Sequence, residues 1–330
     1  IRKELEEKKK RVRQISALLK DESSRWKVVR EEILAVQQKY GSAKVDRRRS
    51  IIESVGEEVE YTADDFIQDE DNIVLVSRDG WVKRQREVRD LSTTRLREGD
   101  VVLAALAGST RASVVFFTNF GVAYTARVID IPATTGYGEP IQRFFKFRDG
   151  EKVMAAFSLD PRAIGEIEAD EGEVPKVHAL AVTSDGFSFR FGLGAFVEPS
   201  TRAGRRFARP AEGAEVVGVS VVDGRETVIA VTEQARAMLC KVEEINFLSG
   251  PGKGVILIKI APGQDRVLGF IASKGDRDLL TVETNRGAAQ TVSTAKYEVT
   301  GRGGRGRELL QRGQFTRIIP PPAELPGALG

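Results

Sequence analysis

Leu5, Val12, Ile15 and Leu19 recur at spacings of seven, three and four. Those spacings gather one apolar stripe on an otherwise charged helix. Asp21-Glu-Ser-Ser interrupts the pattern and offers a cap for a second helix. Trp26, Val29, Ile33 and Val36 then mark the second apolar face, and Gly41 stops it. The pattern predicts a helical hairpin within residues 1–46, which alone buries little and needs something to pack on. Lys44 to Arg49 reads as a basic hinge, and 47–71 as a linker that turns acidic from Val55 to Asp71.

From Asn72 the helical period disappears. Short β-branched or aromatic runs alternate with Gly, Asp and Asn turns, as all-β domains do. The turns Ser77-Arg-Asp-Gly80, Thr118-Asn-Phe-Gly121, Thr183-Ser-Asp-Gly186, Thr232-Glu-Gln-Ala235 and Thr284-Asn-Arg-Gly287 each follow an apolar strand, such as Ile73-Val-Leu-Val or Val228-Ile-Ala-Val. Each is followed by a second strand, such as Trp81-Val-Lys-Arg or Phe187-Ser-Phe-Arg. A second half also recurs: a Gly-rich connection, a polar turn and a closing strand, as in Arg148-Asp-Gly-Glu-Lys-Val-Met-Ala. Four strands per repeat, five times over, predict a mainly β, five-bladed propeller-like domain over 72–319 with a tail at 320–330.

Charge refines this picture only through its arrangement. Among 330 residues, 51 Lys and Arg face 48 acids for a net +3. A single cysteine, Cys240, allows no internal disulfide and suits a reducing cytoplasm. A single histidine, His178, lies in an alternating strand and leaves no material for a His-based metal site or triad. No apolar run approaches the roughly 20 residues of a membrane span. There is no signal peptide, and the chain opens in mid-pattern at Ile1, so it is expected to be a piece of something longer.

Catalytic motifs are thin. Gly301-Arg-Gly-Gly-Arg-Gly306 matches the dinucleotide fingerprint formally but lacks the βαβ context. Ser249-Gly-Pro-Gly-Lys-Gly254 resembles a phosphate loop, yet Lys253 is followed by Gly rather than Ser or Thr. Asp64, Asp65, Asp69, Glu70 and Asp71 have no regular ligand spacing. No catalytic or metal site is expected.

The basic, glycine-rich connections carry more. Arg202-Ala-Gly-Arg-Arg206, Gly252-Lys-Gly254 and Arg302-Gly-Gly-Arg-Gly-Arg307 recur at matching places, and Gly136-Tyr-Gly138 with Arg143, Lys146 and Arg148 stands in the second unit. Glycine lets backbone N–H groups approach a phosphate, and arginine supplies a forked cation. Arg286 to Pro320 holds seven cations against two acids. No aromatics interleave with the basic runs, which points to duplex backbone rather than single strands. The candidate DNA-binding residues are Lys83, Arg84, Arg127, Arg143, Lys146, Arg190, Arg205, Arg206, Lys241, Lys253, Arg302, Arg305 and Arg307.

The order of hairpin, Gln37-Gln-Lys-Tyr-Gly41, Arg47-Arg-Arg-Ser-Ile51, Tyr61-Thr-Ala-Asp-Asp65 and Val74-Leu-Val-Ser-Arg-Asp-Gly-Trp-Val-Lys83 resembles the A subunit of bacterial type IIA topoisomerases, DNA gyrase and topoisomerase IV. The resemblance implies the end of the cleavage-core helices followed by a β-pinwheel that binds duplex DNA along its rim and presents it to the core. It also implies a B subunit, a second copy of the A subunit, and ATP and Mg bound elsewhere in the full enzyme. That enzyme would be cytoplasmic and nucleoid-associated. The family's active-site tyrosine lies upstream of the hairpin, and Tyr40, Tyr61, Tyr124, Tyr137 and Tyr297 do not occupy its motif. The chain alone is therefore expected to be inactive. Gyrases carry a Gln-Arg-Arg-Gly-Gly-Lys-Gly box in the first blade. Here Asp90 to Gly99 has no such box, and a box-like run stands at Gly301–Gly306 instead. Five blades and the missing box resemble topoisomerase IV more than gyrase.

The expectation is thus a non-catalytic region that binds and bends or wraps duplex DNA, without sequence preference and with steep salt dependence. The alternatives are a protein-interaction propeller, which would bind through an apolar patch regardless of salt, and an enzyme with a site in a central channel.

Overall fold

The computed structural model describes residues 1–41, 67–170, 172–261, 263–327 and 329. The basic hinge, the motifs Arg47–Ile51 and Tyr61–Asp65, and the acids Asp64 and Asp65 lie outside them. The chain forms two units, one helical and one β.

The helical unit pairs α1 (Arg2–Lys20) with α2 (Glu22–Tyr40). Asp21 separates them because its carboxylate accepts from the backbone N–H groups of Ser23 and Ser24 at 3.2 and 3.1 Å, capping the start of α2. No residue of either helix is buried, and the stripe residues from Leu5 to Val36 are exposed. Among the described residues no helix is long and apolar enough to cross a membrane.

The β unit is built from five repeats. The first gives β1 (Asp71–Ser77), β2 (Trp81–Gln85) and β3 (Val102–Ser109). The second gives β4 (Ser113–Thr118), β5 (Val122–Arg127), β6 (Glu139–Pro140) and β7 (Val153–Ser158). The third gives β8 (His178–Thr183), β9 (Phe187–Phe191), β10 (Arg205–Arg206) and β11 (Val216–Val222). The fourth gives β12 (Thr227–Thr232), β13 (Arg236–Lys241), β14 (Phe247–Leu248), β15 (Val255–Ile256) and β16 (Val267–Ser273). The fifth gives β17 (Leu280–Thr284), β18 (Ala289–Val292), β19 (Arg307–Glu308) and β20 (Phe315–Ile319).

The sheets do not coincide with the repeats, because strands cross from one repeat to the blade before it. The orders are β3-β1-β2-β6, β10-β5-β4-β7, β11-β8-β9-β14 with β15 also on β9, β16-β12-β13-β19, and β18-β17-β20. Each of the first four blades takes its outer strand from the repeat that follows. The fifth sheet has three strands, and β18 is its edge. Each hairpin closes with an N–H to C=O bond across the turn, such as Gly186 to Thr183 at 3.0 Å. The closing residue has positive φ, glycine in four turns and Ala235 (φ 55) in the fifth, as three-residue hairpin loops require.

The first strands of the middle repeats are buried on both faces, hence their unbroken apolar runs. Val114 and Phe116 pack with Val74 and Val76 of the first blade, whereas Val115 and Phe117 pack with Ala179, Ala181 and Phe191 of the third. Two further cores fill the third and fourth gaps between blades. Phe117 sits in an aromatic cluster, with Phe191, Phe196 and Phe207 edge-on at centroid distances of 5.6, 5.5 and 4.8 Å. The inner strands β3, β7, β11, β16 and β20 pack in that succession. Among the described residues, β20 does not pack back on β3 to the same extent.

Candidate nucleic-acid interface

The basic, glycine-rich connections are the crossing segments that donate the outer strands. Each pairs with the first two residues of the preceding blade's second strand: Glu139 and Pro140 with Val82 and Trp81, Arg205 and Arg206 with Ala123 and Val122, Val255 and Ile256 with Ser188 and Phe187, Arg307 and Glu308 with Ala237 and Arg236. A glycine with positive φ precedes each pair: Gly138, Gly204, Gly254 and Gly306. A Cβ on Gly204 would lie 2.8 Å from the Ala123 oxygen, and one on Gly306 2.7 Å from the Ala237 oxygen. These four seat glycines are thus fixed by close approach to the neighbouring strand. A buried side chain follows three of these short strands: Ile141, Phe207 and Leu257.

Successive crossings are bonded to each other. The N–H groups of Lys146, Arg209 and Lys259 donate to the oxygens of Arg202, Gly252 and Gly304 at 2.7, 3.0 and 2.7 Å. These bonds carry exposed cations from one blade edge to the next: Arg143 and Lys146, then Arg202, Arg205, Arg206 and Arg209, then Lys253 and Lys259, then Arg302, Arg305 and Arg307.

The candidate residues divide on this geometry. Arg205, Arg206, Lys253, Arg302, Arg305 and Arg307 are exposed on the crossings, with Arg143 and Lys146 beside the first. Some are partly engaged within the fold. Arg143 pairs with Glu139, the Arg205 guanidinium donates to the Ala195 oxygen, and Lys253 lies 3.5 Å from Asp185 and 4.0 Å from the Phe187 ring centre. Arg302 donates to the Glu244 oxygen at 2.6 Å, and Arg307 stands over Tyr297. Arg127 and Lys241 close their strands four residues beyond the crossing pairs at Ala123 and Ala237. That sets them about 13 Å away along the strand, so they do not join the series.

Three candidates serve the fold instead. Lys83 is buried, and its ammonium donates to the oxygens of Arg95 and Gly136, both at 2.7 Å. Burial and the nearby Arg95 charge lower its pKa. Arg84 and Arg190, one residue beyond the matching core position, donate to the oxygens of Ile131 and Ile245 at 2.8 and 2.6 Å. Each is half-buried and clamps the next repeat as it leaves a 3-10 turn.

Arg209 and Lys259 are exposed on the same series but stand outside the sequence-based set. Their signal is legible: each follows a seat glycine, two strand residues and two buried residues.

Comparison with known proteins matches residues 112–160, 178–223 and 226–274 to the family described as "DNA gyrase C-terminal domain, beta-propeller". Each stretch is one of the three middle repeats. The A subunit of DNA gyrase from Aminobacterium colombiense is 27% identical over 303 residues, covering 88% of this chain and 34% of that protein. Its counterpart from Deinococcus deserti is 27% identical over 323 residues, covering 92% and 37%. The solved C-terminal domain of DNA topoisomerase IV superposes with a TM-score of 0.66 at 20% identity, over 77% of this chain and 78% of that one. The three middle repeats match this family, and the chain is similar to gyrase A subunits in sequence and to the topoisomerase IV C-terminal domain in fold. It spans about a third of the length of the gyrase subunits it matches.

Within the β unit, the phosphate-loop look-alike at Ser249–Gly254 and the fingerprint look-alike at Gly301–Gly306 are two equivalent crossings. Neither opens a helix, so neither has the N-terminal cradle those motifs need. Asp69, Glu70 and Asp71 are engaged by Ser109, Arg86 and Arg162. Among the described residues, no cluster of His, Cys, Asp or Glu is arranged to hold a metal ion.

Proposed function

We propose that the β unit binds duplex DNA along the outer edges of its blades through phosphate contacts, and bends it as it passes from one crossing to the next. The observation that carries this reading is the repetition of exposed cations on hydrogen-bonded crossings, from Arg143 and Lys146 to Arg302, Arg305 and Arg307. Such cations release counterions from the duplex, position it, and carry no sequence information.

A topoisomerase IV-like role, without gyrase-type chiral wrapping, is supported by the first repeat. Its segment from Arg86 to Asp100 has no glycine-rich box and donates no outer strand. The chain would act within the full enzyme, in the nucleoid, beside the B subunit and a second copy of its own kind, with ATP and Mg bound outside it. It would supply DNA geometry rather than cleavage or strand passage.

The test is ligation of nicked circular plasmid with this chain bound, followed by removal of protein and measurement of linking number, beside a gel shift across salt concentrations. Salt-sensitive binding with unchanged linking number is the expected result. A positive linking shift would replace bending by chiral wrapping, with Gly301–Gly306 as its box. No binding at low salt would leave a protein-interaction propeller.

A further inference from the structure

The position held by Lys83 in the first blade is held by Tyr124, Phe189 and Met238 in the next three. All of these are buried, so the site is a core site and the fold does not require a cation there. Burying an ammonium is unfavourable unless its donors are satisfied. Here they are spent on two loops distant in sequence, through the oxygens of Arg95 and Gly136. Arg95 belongs to the first repeat's segment that donates no strand, and Gly136 to the crossing that completes the first blade.

Those anchors hold a pair of exposed groups. Tyr137 lies between Gly136 and the seat glycine Gly138 and is 50% exposed. The Arg95 guanidinium stands over its ring, 5.7 Å from the centre. Tyr137 occupies the residue before the seat glycine, the station of Lys253 and Arg305 on later crossings. Where those blades present a charge, the first presents an aromatic ring with a cation beside it, fixed from beneath by Lys83. A ring has little to offer a phosphate, but its face stacks on an unpaired or tilted base, and the adjacent guanidinium contacts the backbone. Duplex forced around a curved edge opens such steps.

We infer that Tyr137 and Arg95 form a contact for a base displaced at a kink, and that Lys83 is the residue positioning them, so that the first blade favours distorted over regular duplex. This rests on the proposal that the blade edges bind DNA.

The test compares the affinity of this chain for a short, fully paired duplex and for the same duplex with one unpaired step, with the salt slope measured for each. The wild-type chain is expected to prefer the distorted duplex. Tyr137→Ala, which removes an exposed ring, should cut that preference by about fivefold or more, the size of one lost base-stacking contact, with the salt slope unchanged. Lys83→Met, which installs the side chain of the fourth repeat, should lower the preference in the same way while binding to paired duplex is retained. Equal preference in wild type and Tyr137→Ala would overturn the inference, as would a fall in affinity for both duplexes alike. Absence of binding to either duplex would overturn the DNA reading, and this one with it.

Discussion

Arg190 donates from its Nε to the backbone oxygen of Ile245 at 2.6 Å, joining the third blade to the turn from which the fourth repeat departs. The same side chain approaches Nε2 of His178 at 3.4 Å, and that ring's Nδ1 lies 2.9 Å from the Pro175 oxygen. One guanidinium therefore ties two segments to a single strand. Arg190→Ala should destabilise the β unit by about 1.5–3 kcal/mol, the range for a lost hydrogen bond to a charged group. Denaturant unfolding measures it. The effect on DNA affinity at fixed salt should be small, because this charge serves the fold.

His178 gives a pH dependence with a definite sign. Burial depresses its pKa, the Arg190 charge adds to this, and the Pro175 hydrogen bond with the Glu226 and Asp223 charges opposes it. With the folded pKa below the ordinary value of about 6.5, the unfolded chain binds more protons in the interval between them. Stability from this group is complete above pH ~6.5 and is lost as pH falls toward the folded pKa. Melting temperature should drop between about pH 7.5 and 5.5, and His178→Gln should flatten that drop. Asp223, held low by its bond to Arg225, titrates in a more acidic range and leaves this window clear.

The seat glycines should be far less replaceable than glycines in open turns. Gly254 has φ +84, and a Cβ there would collide with the Ser188 carbonyl. Gly213 has φ +78 with nothing within 4 Å of such a Cβ. Gly213→Ala should cost about 1 kcal/mol from backbone strain alone. Gly254→Ala adds overpacking against backbone and should cost about 2–4 kcal/mol. Equal losses by chemical denaturation would show that the close approach is not what fixes Gly254.

Arg206 and Arg305 are exposed on crossings and make no ion pair among the described residues. Replacing either with alanine should lower DNA affinity uniformly across sequences and reduce the slope of log affinity against log salt by about one. Replacing Arg84 should leave that slope in place, since its guanidinium is committed to Ile131 and Asn72.

Much of this architecture is legible in the chain because hairpins are local. Turns such as Thr183-Ser-Asp-Gly186, between a strand buried on both faces and a mixed one, read directly as blade centres. The donation of strands is not legible, because Arg205 and Arg206 pair with residues more than eighty positions earlier and their two-residue strand has no period of its own. The same gap hides which basic residues are structural. A lysine after Trp81-Val82 reads as a surface charge by alternation, and only the neighbouring carbonyls of Arg95 and Gly136 explain why it points inward. Arg84 and Arg190 enter the basic set by their charge, whereas their partners are carbonyls that no motif announces. The crossing cations are visible because the seat glycine beside them repeats.

The forward gift of the outer strand gives the chain a direction. During translation, each sheet from the first to the fourth stays incomplete until the following repeat has emerged and folded back on it. A stop codon after any repeat would therefore not delete a blade cleanly: it would leave the last remaining blade with a bare second strand, as β18 is in the fifth. Conversely, a duplicated fifth repeat would meet in β18, an edge among the described residues, an acceptor already in place, so the array can lengthen without inventing a new interface.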